Sequence, residues 1–316
     1  MRPAVILAFL ALLAACAPPV VPNSPEACRV EPVTEVPMIP PSPPATTRWS
    51  IAMALDGKPV TMMLDSGATG LVIGNAAATR LGLRNRPDMR GTVTALGGVV
   101  YRKVFEIASV TIGSQTEAKT AFALEMTDTQ AAGRGFDGIV GMRPFEGNDI
   151  EIDFPARTLR LYRARFCPAG APPWSGPFGT FPRSRSGTHT RSNLPMVAVT
   201  VDGRVAHALL DTGATTSVVD RSFAQTLGTP AAPPDGARQG TMRTMSETAM
   251  PMWLHRFGAA DVAGTRFSNP QFWILDLGMT ADMIVGLDIL SQLRIWISSG
   301  SDAVYIARRM SGTPGR

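Results

Sequence analysis

Apolar and polar side chains alternate in several short stretches. Ile51, Met53 and Leu55 alternate ahead of Asp56-Gly57, and an apolar run resumes from Val60 to Leu64. Val197, Val199 and Val201 alternate in the same way ahead of Asp202-Gly203, with Val205 to Leu210 beyond. Period-two alternation running into Asp-Gly predicts a β-hairpin, because those two residues tolerate the left-handed dihedrals of a tight two-residue turn. Leu71-Val72-Ile73 and Ser217-Val218-Val219 read as further strands. Each is followed by a short helix that starts at Asn75 or Asp220 and stops at Gly82 or Gly228. Thr158 to Arg163 and Ala303 to Ala307 are also strand-like, and Asp288 to Leu290 begins a brief helix.

These segments belong to an internal repeat. Asp65-Ser66-Gly67-Ala68-Thr69 recurs as Asp211-Thr212-Gly213-Ala214-Thr215, an offset of 146 residues that the two hairpins share. Gly138-Ile139-Val140-Gly141 is echoed by Met283-Ile284-Val285-Gly286 at an offset of 145. A lone Asp-Ser/Thr-Gly is an ordinary turn, but two copies in register mark two copies of one mostly β unit. The units run over 48–165 and 193–309, joined by a Pro-, Gly-, Ser- and Arg-rich linker at 166–192 and followed by a tail at 310–316. Both repeat aspartates fall where a strand gives way to a loop.

Composition narrows the classes. Of 316 residues 45% are hydrophobic and 17% charged, which excludes a disordered chain, while 30 Gly, 27 Pro and only 7% aromatics disfavour a helix bundle. The net charge of +5 comes mostly from Arg. Arg183, Arg185 and Arg191 form its densest stretch and read as a solvated loop, as do Arg84, Arg86, Asp88 and Arg90. No nucleic-acid motif accompanies them. His189, His207 and His255 are the only histidines, and no metal-ligand or serine-hydrolase motif is present, so no metal or cofactor is expected. Sixteen methionines, with Trp253, Phe272, Trp273 and Trp296, suit core and cleft lining.

The chain opens with an apolar run from Ala4 to Ala15, too short to span a bilayer but long enough for an export signal over 1–15. Leu13-Ala14-Ala15-Cys16 resembles the lipobox of bacterial lipoproteins. That resemblance implies a lipid on Cys16 and, with Ala17 next, residence at the outer membrane facing the periplasm. Residues 16–47 are rich in Pro and read as an extended tether. Cys28 and Cys167 remain as a possible disulfide or as two thiols.

Two aspartates, one per copy, can hold a water between them. The ionised acid takes its proton and the protonated acid donates to a peptide carbonyl, and neighbouring carboxyls share one proton naturally. Gly67 and Gly213 allow close backbone approach, and the Ser66 and Thr212 hydroxyls can bond across a pseudo-twofold axis. At these residues the chain resembles the aspartic proteases, in particular two retropepsin-type units fused in tandem. The resemblance implies an all-β, bilobal acid-protease fold: two homologous β-barrel-like lobes with short helices and an active-site cleft between them. It makes Asp65 and Asp211 the catalytic pair, with Ser66 to Thr69 and Thr212 to Thr215 as supporting loops and Asp288 structural. It also implies a flap over each half, from Thr92 to Val104 with Gly97, Gly98 and Tyr101, and from Gly240 to Met252 with Met245 and Ser246. Pro144 stands where the second copy begins its helix, so an equivalent helix is not expected in the first.

The expected activity is endopeptidase cleavage of a polypeptide, with the lobes paired within one chain as a monomer or else between chains. A lipoprotein that binds peptides or scaffolds an envelope complex without cutting is the competing possibility.

Overall fold

The computed structural model describes residues 32–42, 48–131, 133–163, 172–183, 194–262, 264–299 and 301–308. Cys16, Cys28 and Cys167 lie outside them. The protein is a two-lobed structure built mostly of strands with a few short helices.

Each lobe is built on the predicted hairpin. Ser50–Leu55 pairs with Lys58–Leu64, and Met196–Val201 with Arg204–Leu210. Both Asp-Gly turns take the left-handed conformation, with φ of 50° and 73° at Asp56 and Gly57 and of 47° and 80° at Asp202 and Gly203. The Asp side chains fasten these turns to the next strand: Asp56 Oδ1 accepts from the amides of Ala108 and Ser109, and Asp202 Oδ1 from that of Ala259. Gly138–Val140 then lies parallel to Lys58–Leu64 and antiparallel to Leu71–Gly74. Met283–Val285 repeats this between Arg204–Leu210 and Val218–Asp220. Inserting that strand closes a loop around each repeat aspartate, whose amide donates to Val140 O or Val285 O.

The short helices form as expected at Asn75–Leu81, ended by Gly82 at φ 65°, and at Arg221–Thr226, capped by the Asp220 carboxylate. Leu287–Leu290 is helical, whereas Arg143–Phe145 forms a single 3₁₀ turn with Pro144 in its first turn, a position that demands no amide hydrogen. The first copy thus has a shorter turn where no helix was expected.

Six strands at one end of the largest sheet join the lobes. Their order is Gly179–Pro182, Ala303–Arg308, Leu293–Ile297, Asp149–Asp153, Thr158–Tyr162 and Pro32–Ile39. The lobes meet where Asp149–Asp153 pairs antiparallel with Leu293–Ile297, so their union is made within one chain. Two expectations are corrected here. Residues 32–39, read as part of an unpacked tether, form a strand with Thr34, Val36 and Met38 buried in period two. Pro37 is tolerated because Pro32–Pro37 pairs on one side only, with Thr158–Tyr162. Residues 179–182, read as linker, form the opposite edge strand, and nearby Trp174 is buried edge-on to Trp296.

At the centre of this sheet the fully buried Glu151 accepts from Arg160, from Tyr162 Oη at 2.8 Å and from Arg294. Two cations from different lobes therefore converge on one carboxylate. Replacing it with Ala leaves the Tyr162 hydroxyl without its acceptor, with Arg160 keeping only Glu35 and Arg294 only Asp153, and should lower unfolding free energy by ~1–3 kcal/mol in chemical denaturation. A change within about 0.5 kcal/mol, the range of an ordinary surface substitution, would show that the sheet does not depend on this cluster.

Candidate active site

Asp65 and Asp211 end equivalent strands and meet between the lobes. They are brought together by a reciprocal exchange of four hydrogen bonds. The Ser66 amide donates to Thr212 Oγ1 (2.9 Å), and that hydroxyl donates to Leu64 O (2.8 Å). The Thr212 amide donates to Ser66 Oγ (3.0 Å), and that hydroxyl donates to Leu210 O (2.6 Å). Both side chains are 1% exposed, so their bonds have no competition from water.

The glycines that follow set the approach. A Cβ on Gly67 would stand 2.6–2.8 Å from the Asp211 carboxylate atoms, and one on Gly213 would stand 2.5–2.7 Å from those of Asp65. Only the hydrogen side of glycine lets each loop pass against the opposite acid. Gly67 N donates to Asp65 Oδ1 (2.9 Å) and Gly213 N to Asp211 Oδ1 (2.8 Å). Beneath the loops, Gly141 lies under Ala68 and Gly70, and Gly286 under Thr216, at distances a side chain could not share. Asp288 does not reach the pair. Its carboxylate holds Ser217 N and Oγ at 2.9 and 2.7 Å, a structural brace.

The two carboxyls interact directly. Withdrawal from water, the negative charge of Asp211 and the hydrogen bond to it hold Asp65 well above the ordinary carboxylate range. Withdrawal from water also raises Asp211. Opposing this rise are the Gly213 amide, the hydrogen bond from Asp65, the Arg48 guanidinium and the Ala214 amide. Both acids are raised, so the two carboxyls hold one proton between them over a range of pH and titrate as a pair. Such a pair can polarise a carbonyl and accept a proton from water at once.

Arg48 is a site residue that the motifs do not reveal. Trp49 O accepts from Leu64 N as Pro195 O accepts from Leu210 N, so Arg48 and Leu194 are equivalent positions with different chemistry. Burial and the nearby Arg134 pull the Arg48 guanidinium below its ordinary value.

Both expected flaps are hairpins, Gly91–Ala95 with Gly98–Arg102 and Gln239–Arg243 with Ala249–Arg256. Gly97 and Gly98 form the first tip with φ of 84° and 131°, and Met245 and Ser246 lie at the second. Tyr101, 69% exposed, lies on the outer face of its flap, while its neighbour Arg102 is drawn inward. Strand alternation gives adjacent residues opposite faces. A cavity of about 660 Å³ on the first lobe, lined by Lys119, Phe122 and Arg143 among others, contains neither aspartate. Among the described residues, no group of His, Cys, Asp or Glu assembles at metal-binding spacing.

Two lobes, two flaps and facing acids define the architecture of an aspartic protease. The aspartyl protease family profile matches this chain twice, over residues 51–143 and 197–289, together more than half its length. The chain belongs to that family. No curated protein matches it.

The raised acids have a consequence for stability. Below 3.8, the ordinary value, folded and unfolded chains are both protonated at Asp65. As pH rises above that value the unfolded chain ionises freely while the folded one resists, so stability is lost through the folded transition. Asp65→Asn, neutral throughout, should therefore raise Tm at about pH 8 and give a gain that shrinks towards about pH 4. Equal gains at both pH values would mean that Asp65 titrates normally.

Proposed function

We propose that the protein is an aspartic endopeptidase in which a water between Asp65 and Asp211 attacks the carbonyl of a scissile peptide bond. The observation that carries this is the facing pair of carboxyls, each packed against the other loop's glycine and held there by the Ser66–Thr212 exchange. The ionised acid takes the water's proton while the protonated acid donates to the carbonyl oxygen, giving a tetrahedral diol. Proton return to the amide nitrogen then releases the two products. The substrate is a polypeptide, in keeping with the family.

Asp65→Asn and Asp211→Asn should each lower kcat/KM on a cleavable peptide by ~10⁴-fold, and the double change should add little, because the acids act as a unit. Peptide binding that survives with no cleavage by the wild-type protein would favour a non-catalytic receptor. The pH–rate profile should be a bell centred at mildly acidic to near-neutral pH, rising as the pair loses its first proton and falling as it loses its second. Ala68 and Ala214 carry no hydroxyl to favour the charged forms, so an optimum in strong acid would contradict this assignment.

We further propose that the enzyme is tethered through a lipid on Cys16, at the outer membrane facing the periplasm. The basis is the apolar run ending in Leu13-Ala14-Ala15-Cys16. Cys16→Ser should move the protein from the membrane to the soluble fraction, and an unmodified wild-type N-terminus in mass spectrometry would refute the anchor. Cys28 and Cys167 are the proposed disulfide of the exported chain.

A further inference from the structure

The flap tips are unequal. The first turns in two residues, 96 and 97, whereas the second spends five, 244 to 248, between its strands. The longer tip crosses to the first lobe. Thr244 Oγ1 and Ser246 Oγ both donate to Leu96 O, the latter at 2.8 Å, and Thr248 Oγ1 donates to Gly97 O (3.2 Å). The Met245 carbonyl accepts from Arg102 Nη2 (3.0 Å) and from Gln130 Nε2 (2.8 Å), and Thr127 Oγ1 donates to Glu247 Oε1 (2.9 Å). Glu247 takes φ 64°, a costly conformation for a residue with a side chain, so the turn is shaped by what it binds.

These bonds deliver the Met245 side chain to a small apolar cluster separate from the main core. Met63, Val72, Met126 and Ile139 are its buried members, with Phe136 and Ala68 at its edge. Ala68 is three residues from Asp65, and Met63 is two residues before it. Through Met63 and Ala68 the cluster adjoins the strand and loop that carry Asp65.

We propose that Met245 is a built-in plug: the second flap latches onto the first lobe through Arg102, Gln130 and Thr127 and fills the apolar subsite beside Asp65 until a substrate side chain displaces it. This rests on the endopeptidase assignment for its meaning but not for its test. Latching depends on polar bonds at the tip, while the plug depends on an unbranched, flexible thioether that conforms to the pocket. A peptide must compete with Met245, so its apparent affinity is lowered by the fraction of molecules that are latched. The plug fits an unbranched apolar substrate residue at that position better than a charged or β-branched one.

The test uses the full-length protein in detergent. The thiol of Met245→Cys should react with a maleimide at least about tenfold more slowly than that of Thr94→Cys, which lies on the exposed face of the first flap, with labelling located by peptide mapping. Combining Gln130→Met with Met245→Cys, which removes a donor to the carbonyl at position 245, should bring the labelling rate there towards that of the Thr94→Cys protein. Separately, Met245→Ala should bind a peptide carrying a hydroxyl isostere in place of the scissile bond about tenfold more tightly than wild type. Labelling of Met245→Cys as fast as Thr94→Cys would overturn the latch. Slow labelling with unchanged or weaker isostere binding by Met245→Ala would overturn the plug, leaving the contact as simple closure. Slow labelling and tighter binding without any peptide cleavage would leave the latch standing and refute the endopeptidase.

Discussion

Two carboxylic acids held in contact and largely withdrawn from water repel one another if both are charged, and nothing in either lobe alone would bring them together. The exchange between Ser66 and Thr212 supplies that constraint. Each hydroxyl accepts from the opposite amide and donates to the carbonyl two residues before the opposite loop. Breaking one arm leaves buried donors and acceptors unpaired, each costing ~1–3 kcal/mol, so the contact is held all at once or not at all. The repulsion that remains is relieved by a proton, which is the state that chemistry on a peptide bond requires.

That contact is supported from below and from above. Below, strands from both lobes form one sheet, with Glu151 neutralising Arg160 and Arg294 at the seam. The sheet fixes the lobes' separation, so the loops do not have to hold the lobes together themselves. Above, the flap tips bond to one another across the two lobes, Thr244, Ser246 and Thr248 donating to the carbonyls of Leu96 and Gly97. Fusing the two units in one chain also makes their encounter intramolecular, which a pair of separate chains would have to achieve by concentration.

Much of this was legible because it repeats. Alternation into Asp56-Gly57 and Asp202-Gly203 located the hairpins, and the paired Asp-Ser/Thr-Gly loops located the acids and the hydroxyls that join them. Segments that stand outside the repeat were harder to read. Pro32–Ile39 is a strand because Thr34, Val36 and Met38 alternate inward, but its prolines hid that alternation, and only its one-sided pairing accommodates them. Gly179–Pro182 is a strand because Ala303–Arg308 offers an edge, a fact that no local pattern carries. Arg102, Gln130 and Thr127 matter through contacts more than 110 residues distant in sequence, and nothing in their neighbourhoods marks them.

Duplication produces two equivalent halves, yet a single chain can then alter each half independently. At the backbone position that receives Leu64 N or Leu210 N the geometry is the same, but the preceding residue is Arg48 in one lobe and the buried Leu194 in the other. The Arg48 charge acts on both acids from one lobe only, so two identical acids have unequal surroundings. The flaps diverge in the same way, one tip short and glycine-rich, the other long enough to reach across. A symmetric dimer must change both halves with every mutation and cannot assign the two acids different neighbours.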